Sequence, residues 1–469
     1  MNDYGFFDEG SERSHESKSE NEKNSIEFDE RHLSTLYDTD VLDELFFNLL
    51  DSGELKNALK VAEHLIQVAP FSSDSWFKRG VALNNNGYYE ESVKSFEKAV
   101  VLNPTDTEIL LNLGMAYESV GDSMSALEVL EEALKFSPDD DEIFFSKALS
   151  LQRLEKYAEA KLAFESCLNI NPEHREAWYE FGYCLDMLGL FKESVKAYEK
   201  HIDIDPYSSN SWYNRGIVLS KLKQFNDAVV SYDMAVAIRD NFSSAWYNRG
   251  NVLASIGHLK EAIVSYKKTL QYEPDDSDTL FNIASAYEEL EDFHPAIEYF
   301  EKVVSLDPNF ADAWYSLACS YDMINSHALA LGAIQQAVIL MPENMDYLQA
   351  KADIEYNLGY LYESIVTYNK IIEIDPQSPQ AWYDLASLFL ESQRYERAID
   401  AFLKVIELNP KHADAYFELA IGYHAQGKTS ETLRYLKRSI EFDTEKKQLI
   451  KEAFPELAMD PKVVKKLGI

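Results

Sequence analysis

The chain has 469 residues, 81 of them acidic and 44 basic, for a formal net charge of −37, and 46% are hydrophobic. That balance repels nucleic acid and anionic membrane surfaces, and no basic run is present to supply phosphate contacts. No stretch approaches the roughly 18 consecutive apolar residues of a membrane span, and the start, MNDYGFFDEG, has neither a basic n-region nor an apolar h-region, so a cytoplasmic location is the expectation.

Residues 1–38, with SERSHESKSENEKNSIEFDE at their centre, are rich in Ser, Glu, Asn and Lys and poor in apolar residues. Such a composition does not bury enough surface to order itself, and predicts a disordered acidic tail. Ile26 to Phe28 and Leu33 to Tyr37 are its candidate docking segments, onto the first folded repeat or into the protein's own groove.

From Thr39 the chain changes character. WYNRG at Trp212–Gly216 returns at Trp246–Gly250, 34 residues on, with a near copy, WFKRG, at Trp76–Gly80. Sliding the chain by 34 aligns twelve consecutive repeats over residues 39–446 without an insertion or deletion. Counting Thr39 as position 1, all six tryptophans fall at position 4. Position 8 is Gly or Ala in every repeat but the first, which has Phe46, and position 20 is Ala, Ser or Thr throughout. Positions 4, 7, 8 and 11 have the i, i+3, i+4, i+7 spacing of one helix stripe, and positions 20, 24 and 27 mark a second helix. A bulky residue opposite a small one lets two helices approach, and Trp246 against Gly250 and Ala262 is read as that arrangement. Position 32 is proline in ten repeats, where it ends the second helix; Asp240 and Thr444 are the departures.

Beyond the repeats, KKQLIKEAFPEL predicts an amphipathic capping helix over Glu445 to Leu457, with Leu449, Ile450 and Phe454 on one side. Asp460 followed by Pro461 then opens a short last helix. Residues 447–469 are thus read as a C-terminal capping helix and tail.

The pattern W-x2-L-G-x2-Y, then A-x3-F, A and P resembles the tetratricopeptide repeat. The resemblance covers the chain from Thr39 to Lys446 and implies an all-α, right-handed superhelical solenoid of antiparallel helix pairs with a C-terminal capping helix. It further implies that first helices line a concave groove that binds extended peptides of other proteins, and that asparagine ladders in such grooves grip peptide backbones.

Positions 2, 6, 9 and 13 lie about 200° from the packing stripe, given 3.6 residues per turn, and so face that groove, flanked by position 5. Position 6 holds Asn112, Asn214, Asn248 and Asn282, three of them in consecutive repeats, alongside Glu180 and Asp384. A carboxamide offers one acceptor and two donors, which suits both the N–H and C=O of an extended peptide; the alternative is that the column is inherited WYNRG consensus, kept by duplication. Position 5 is aromatic at Tyr179, Tyr213, Tyr247, Phe281 and Tyr315, either as a wall for partner side chains or as packing between adjacent first helices. Acidic residues recur at position 2, where the helix dipole favours them regardless of any ligand, and at position 12 in Glu118, Asp186, Glu288 and Asp322. Arg79, Arg215 and Arg249 at position 7 are expected to snorkel toward acidic neighbours.

No histidine or cysteine spacing fits a metal site, and no phosphate loop or nucleophile motif is present, so no catalytic residue, metal or cofactor is expected. The expected function is a non-enzymatic scaffold or adaptor whose groove binds a basic or neutral protein or peptide, with no nucleic-acid partner. The alternatives are a solenoid that self-assembles through its terminal repeats, as a homo-oligomer, and a regulatory subunit of a larger complex.

Overall fold

The computed structural model describes residues 33–468, and among them there are helices and no strands. Twenty-four of the described helices form hairpins whose first members begin at Thr39, Ser73, Thr107, Asp141, Arg175, Ser209, Ser243, Ser277, Ala311, Met345, Pro379 and Ala413, each 34 residues after the last. We number them α1 (Thr39–Asp51), α2 (Leu55–Val68), α3 (Ser73–Asn85) and onward, odd for first and even for second helices. The chain divides into two compact units, the first ending at Leu222 and the second beginning at Lys223, between α11 (Ser209–Lys221) and α12 (Phe225–Ile238). Within each unit a second helix packs on the first helix of its own pair and on the first helix of the next.

Two columns that the hydrophobic pattern does not disclose set the helix ends. Position 34 is the N-cap of the next first helix: the side chains of Ser72, Asp106, Asp140, His174, Ser208, Asp276, Asn344, Ser378 and His412 each accept a backbone N–H there. Phe242 and Phe310 cannot, and Phe310 instead stacks on Phe281, with centroids 4.9 Å apart. Position 15, in the turn between the two helices, has positive φ in all twelve repeats; glycine fills it in seven, and Glu155, Lys223, Glu291, Asn325 and Gln393 fill the rest.

The small residue at position 8 does not face the tryptophan, which corrects the expected Trp246–Gly250 packing. It makes room for the large side chain at position 24 of the second helix. A Cβ on Gly80 would stand 2.6 Å from the Phe96 ring, one on Gly182 2.8 Å from Tyr198, and one on Gly250 2.5 Å from Tyr266. Where position 20 is serine, its hydroxyl donates to the position-8 carbonyl: Ser92 to Gly80 at 2.8 Å, Ser194 to Gly182 at 2.7 Å, Ser364 to Ala352 at 2.9 Å. The tryptophans are only partly buried, and each indole N–H donates to the carbonyl six residues earlier: Pro70, Pro172, Pro206, Asp240, Pro308 and Pro376, at 2.8–3.0 Å. The same bond at Asp240 shows that the carbonyl at position 32, rather than the proline ring, is what the indole needs.

At the N-terminal end, Leu33 packs with Leu42 and Val61, and His64 Nε2 lies 2.8 Å from the Leu36 carbonyl. Ile26 to Phe28 and the rest of the expected tail up to residue 32 lie outside the described residues. At the other end three short helices follow: α25 (Lys446–Ala453), α26 (Pro455–Met459) and α27 (Pro461–Leu467). Ile450, Phe454, Val463 and Leu467 are buried against Phe417, Leu436 and Ile440. The expected continuous helix breaks at Phe454 because a residue before proline avoids the helical region, and Leu449, expected on the buried side, is exposed.

Candidate partner-binding faces

The first helix of a repeat buries two sides. Positions 7, 8 and 11 meet its own second helix, and small residues at positions 3 and 10, such as Ser75, Ala82, Ala177, Cys184, Ala313 and Ser320, are buried on the other side. What remains is a face made of positions 2, 5, 6, 9, 12 and 13.

On this face the position-6 asparagines are partly engaged within the protein. Asn214, buried, donates Nδ2 to the Tyr179 hydroxyl at 3.0 Å. Asn282 donates to the Tyr247 hydroxyl at 3.2 Å and to Asn251 Oδ1 at 3.4 Å. The amide of one repeat thus holds the position-5 ring of the preceding one. Asn112 instead donates to the Glu108 carbonyl of its own helix at 2.9 Å, and Asn248 is half-buried.

The position-5 rings turn inward. Tyr179 packs edge-on against Tyr198 at 6.0 Å and beside His201 at 5.5 Å. Tyr247 packs on Tyr266 at 6.0 Å, Phe281 on Phe300 at 5.6 Å, and Tyr315 stacks on Tyr347 at 5.0 Å. Tyr213 is buried. Where the contact is with position 24, it is with the ring of the repeat's own second helix, which neither sequence reading of this column foresaw.

Charge is arranged differently in the two units. In the first, the face carries eleven carboxylates and three cations, Lys78, Arg153 and Lys221. Each cation is paired. Lys78 is buried, 3.1 Å from Asp43 and also bound to Asp74. Arg153 meets Glu118 at 2.6 Å. Lys221 grips both oxygens of Asp186 at 2.7 and 2.8 Å, and that carboxylate is 2% exposed. Arg153 and Lys221 follow one rule, position 13 binding position 12 of the repeat before. Reading columns 12 and 13 together with a one-repeat offset would have disclosed it.

In the second unit the six first helices from Ser243 to Ala425 also place eleven carboxylates on these positions, but no lysine or arginine. The offset rule persists with a neutral donor, Asn357 lying 3.4 Å from Asp322, which His327 Nδ1 also approaches at 2.6 Å. Glu288 has Met323 where a cation would stand; Ser320 donates to it at 3.3 Å, and burial raises its pKa. Asp384 accepts from Gln380 at 2.8 Å, and burial, with the Asp353 charge, pushes it up to about 6. Burial and the Asp414 charge raise Glu418. The cation that does reach this face comes from the end helices: Lys446 binds Asp414 and lies 5.7 Å over the Phe417 ring. Glu180 of the first unit is raised by burial in the same way, with Gln152 Nε2 donating at 2.8 Å.

The position-7 arginines reach acidic neighbours, as expected, at Arg215–Glu199 (2.8 Å) and Arg249–Asp233 (2.6 Å); Arg79 donates to Ser95 Oγ at 2.6 Å. Asp141, Glu142 and His174 cluster within 4.8 Å. His174 Nδ1 accepts the Ala177 N–H at 3.2 Å, so its Nε2 carries the hydrogen and is a donor, without the lone pair a metal needs.

Tandem helical hairpins of fixed length, joined by short capped turns, define an interaction-repeat fold. Tetratricopeptide family models match residues 243–276, 277–310 and 346–378, and further models of the repeat match 145–209, 197–230, 299–352, 367–400 and 386–427. The Psidin N-terminal TPR repeats region matches 42–161. The chain belongs to the tetratricopeptide repeat family. No curated protein matches it. Among solved structures it is similar to YrrB, described as a TPR protein with an unusual peptide-binding site, at 21% identity over 40% of this chain and 97% of that one, with a TM-score of 0.38. It is also similar to the C-terminal part of a TPR protein of Cytophaga hutchinsonii, at 17% identity over 51% and 99%, TM-score 0.47. A third match is to the APC/C heterotetramer Cut9-Hcn1, at 14% identity over 91% and 99%, TM-score 0.36. The family's repeats serve protein–protein interaction. Among the described residues no helix is long and apolar enough to cross a membrane.

Proposed function

We propose that residues 39–446 are twelve repeats of one non-enzymatic scaffold, closed by residues 447–469, and that its first-helix faces hold an extended, cationic segment of another protein. One observation carries this reading. In the second unit the first helices place eleven carboxylates and no lysine or arginine on the face, Lys446 reaching it at Asp414, and burial raises the pKa of Glu288, Asp384 and Glu418. Glu288 and Asp384 are held partly out of water without a counter-charge, which destabilises the free protein, and a cationic partner removes that penalty as it binds. The aromatic rings at position 5 give the face rigid edges between the acids. Asn214 and Asn282 each spend a donor on a tyrosine, which leaves the carboxamide oxygen as the part that meets a backbone N–H.

The test uses the full chain with a set of arginine- and lysine-rich peptides and acidic controls, titrated by fluorescence anisotropy at low and moderate salt. The triple variant Glu288→Gln, Asp384→Asn, Glu418→Gln is expected to bind the basic peptides at least about tenfold more weakly, with a flatter salt dependence. Equal affinity of wild type and variant, at equal helicity, would overturn the proposal.

A further inference from the structure

Three consecutive first helices of the first unit, α3, α5 (Thr107–Ser119) and α7 (Asp141–Arg153), carry Asn84, Glu118 and Gln152 at position 12. In each of them one side-chain oxygen is buried and accepts no hydrogen bond: Asn84 Oδ1, Glu118 Oε1 and Gln152 Oε1. Gln152 is 7% exposed. Its Nε2 donates to Glu180 at 2.8 Å. The unpartnered atom of Gln152 is therefore its oxygen. Glu118 gives its other oxygen to Arg153 and to the Ser123 hydroxyl. The outcome is a row of three acceptors on helices that touch one another in sequence, α3 with α5 and α5 with α7, and no donor among the described residues answers them. Native proteins leave few buried polar atoms unpaired, and a run of three at one repeat position identifies what is missing.

We propose that this row is a receptor for guanidinium groups, supplied by successive arginines of an extended segment. The inference rests on the scaffold reading above and gives it a partner chemistry. A guanidinium has five N–H donors and no acceptor, and it sheds water more readily than an ammonium, so it matches a desolvated row of acceptors better than lysine does. Spacing selects the backbone. Packed helix axes stand roughly 8–10 Å apart, and a polyproline II segment returns to the same side every third residue, about 9 Å along. An arginine at every third position thus meets one repeat after another, whereas a β-strand alternates sides and returns at about 7 Å. Asn84 and Glu118 are partly exposed as residues, so a side-chain rotation presents their oxygens. Residues 1–32 are the wrong occupant, with ten acidic and four basic residues.

The experiment titrates the full chain with the capped, labelled peptide Arg-Pro-Pro-Arg-Pro-Pro-Arg, its Lys-for-Arg counterpart, and Arg-Pro-Arg-Pro-Arg. The double variant Asn84→Leu, Gln152→Met removes two acceptors without changing net charge, and circular dichroism and melting confirm its fold. Expected are at least a tenfold preference for the first peptide over the other two, and a loss of at least tenfold in the double variant. If all three peptides bind alike and the double variant binds as wild type does, while the Glu288, Asp384 and Glu418 triple variant weakens them, the guanidinium row is overturned and the cationic-segment reading stands. If wild type binds none of the three, both fall.

Discussion

The two units are built from the same repeat and solve the same electrostatic problem in opposite ways. Each places eleven carboxylates on its first-helix face. The first unit answers some of them internally, through Lys78, Arg153 and Lys221, and reaches across from repeat to repeat to do so. The second has the Lys446–Asp414 pair and the His327 contact to Asp322, and otherwise answers with hydroxyls and amides: Tyr347 to Asp312, Tyr368 to Asp353, Ser320 to Glu288, Gln380 to Asp384, Asn357 to Asp322. A neutral donor satisfies a lone pair and leaves the net charge in place. In one unit the face is cross-linked by ion pairs between first helices; in the other, away from the Lys446–Asp414 pair, it keeps a field that an outside cation must meet. The difference is confined to surface columns, because the packing columns beneath are shared.

That last statement predicts the largest effects and their equality. Gly182→Leu in the first unit and Gly250→Leu in the second both drive a side chain into a buried tyrosine ring, Tyr198 and Tyr266, that already lies within 3 Å of an added Cβ. Each substitution is expected to cost about 3 kcal/mol by overpacking, read by urea unfolding of the full chain followed by far-ultraviolet dichroism. A loss in one unit only would mean that the two scaffolds are packed differently.

A smaller effect separates the faces. Lys221→Met leaves the Asp186 carboxylate, 2% exposed, without its cation. Because the lysine itself is 38% exposed and screened, the expected cost is about 2 kcal/mol, below that of breaking a fully buried pair. Glu288→Gln in the second unit removes a desolvated charge that has no cation beside it, and is expected to hold or raise stability. Thermal unfolding of both variants tests the contrast; a loss at Glu288 equal to that at Lys221 would erase it.

How much of this was legible follows from what each column needs. The tryptophans, the small residues at position 8 and the large ones at position 24 repeat in identity, so the helix pairs could be read directly. Their partners could not. Trp246 and Gly250 share a helix stripe, but the indole bonds the Asp240 carbonyl while the glycine admits Tyr266. Position 15 hides because the turn imposes its left-handed backbone on Glu155 and Gln393 as well as on glycine. Position 34 hides because serine, aspartate, asparagine and histidine cap a helix by different atoms and do not look alike in a column. The face was legible as acidic. That Asp186 is locked to Lys221 while Asp384 meets only amides depends on a contact between residues one repeat apart, which a pattern read within each repeat does not contain.

A last effect measures solvation of the second face directly. Burial raises the Asp384 carboxyl from 3.8 to about 6, with Asp353 adding like charge, while Gln380 and Gln349 pull the other way. The folded protein therefore holds a proton on Asp384 that the unfolded chain has already released between about pH 4 and pH 6. Over that window the native state binds more protons, so the contribution of this group to stability is full below pH 4 and is lost as the pH rises through 6. Asp384→Asn abolishes the titration, and its unfolding free energy is expected to fall less steeply than that of wild type between pH 4 and pH 6. Binding of a cationic peptide should run the other way in wild type, strengthening across the same interval as the carboxylate ionises, and the variant should lose that rise. Parallel stability curves for the two proteins would mean that Asp384 is as well hydrated as any surface aspartate, and the second face would then attract a partner by net charge alone, without the desolvation that makes its carboxylates depend on one.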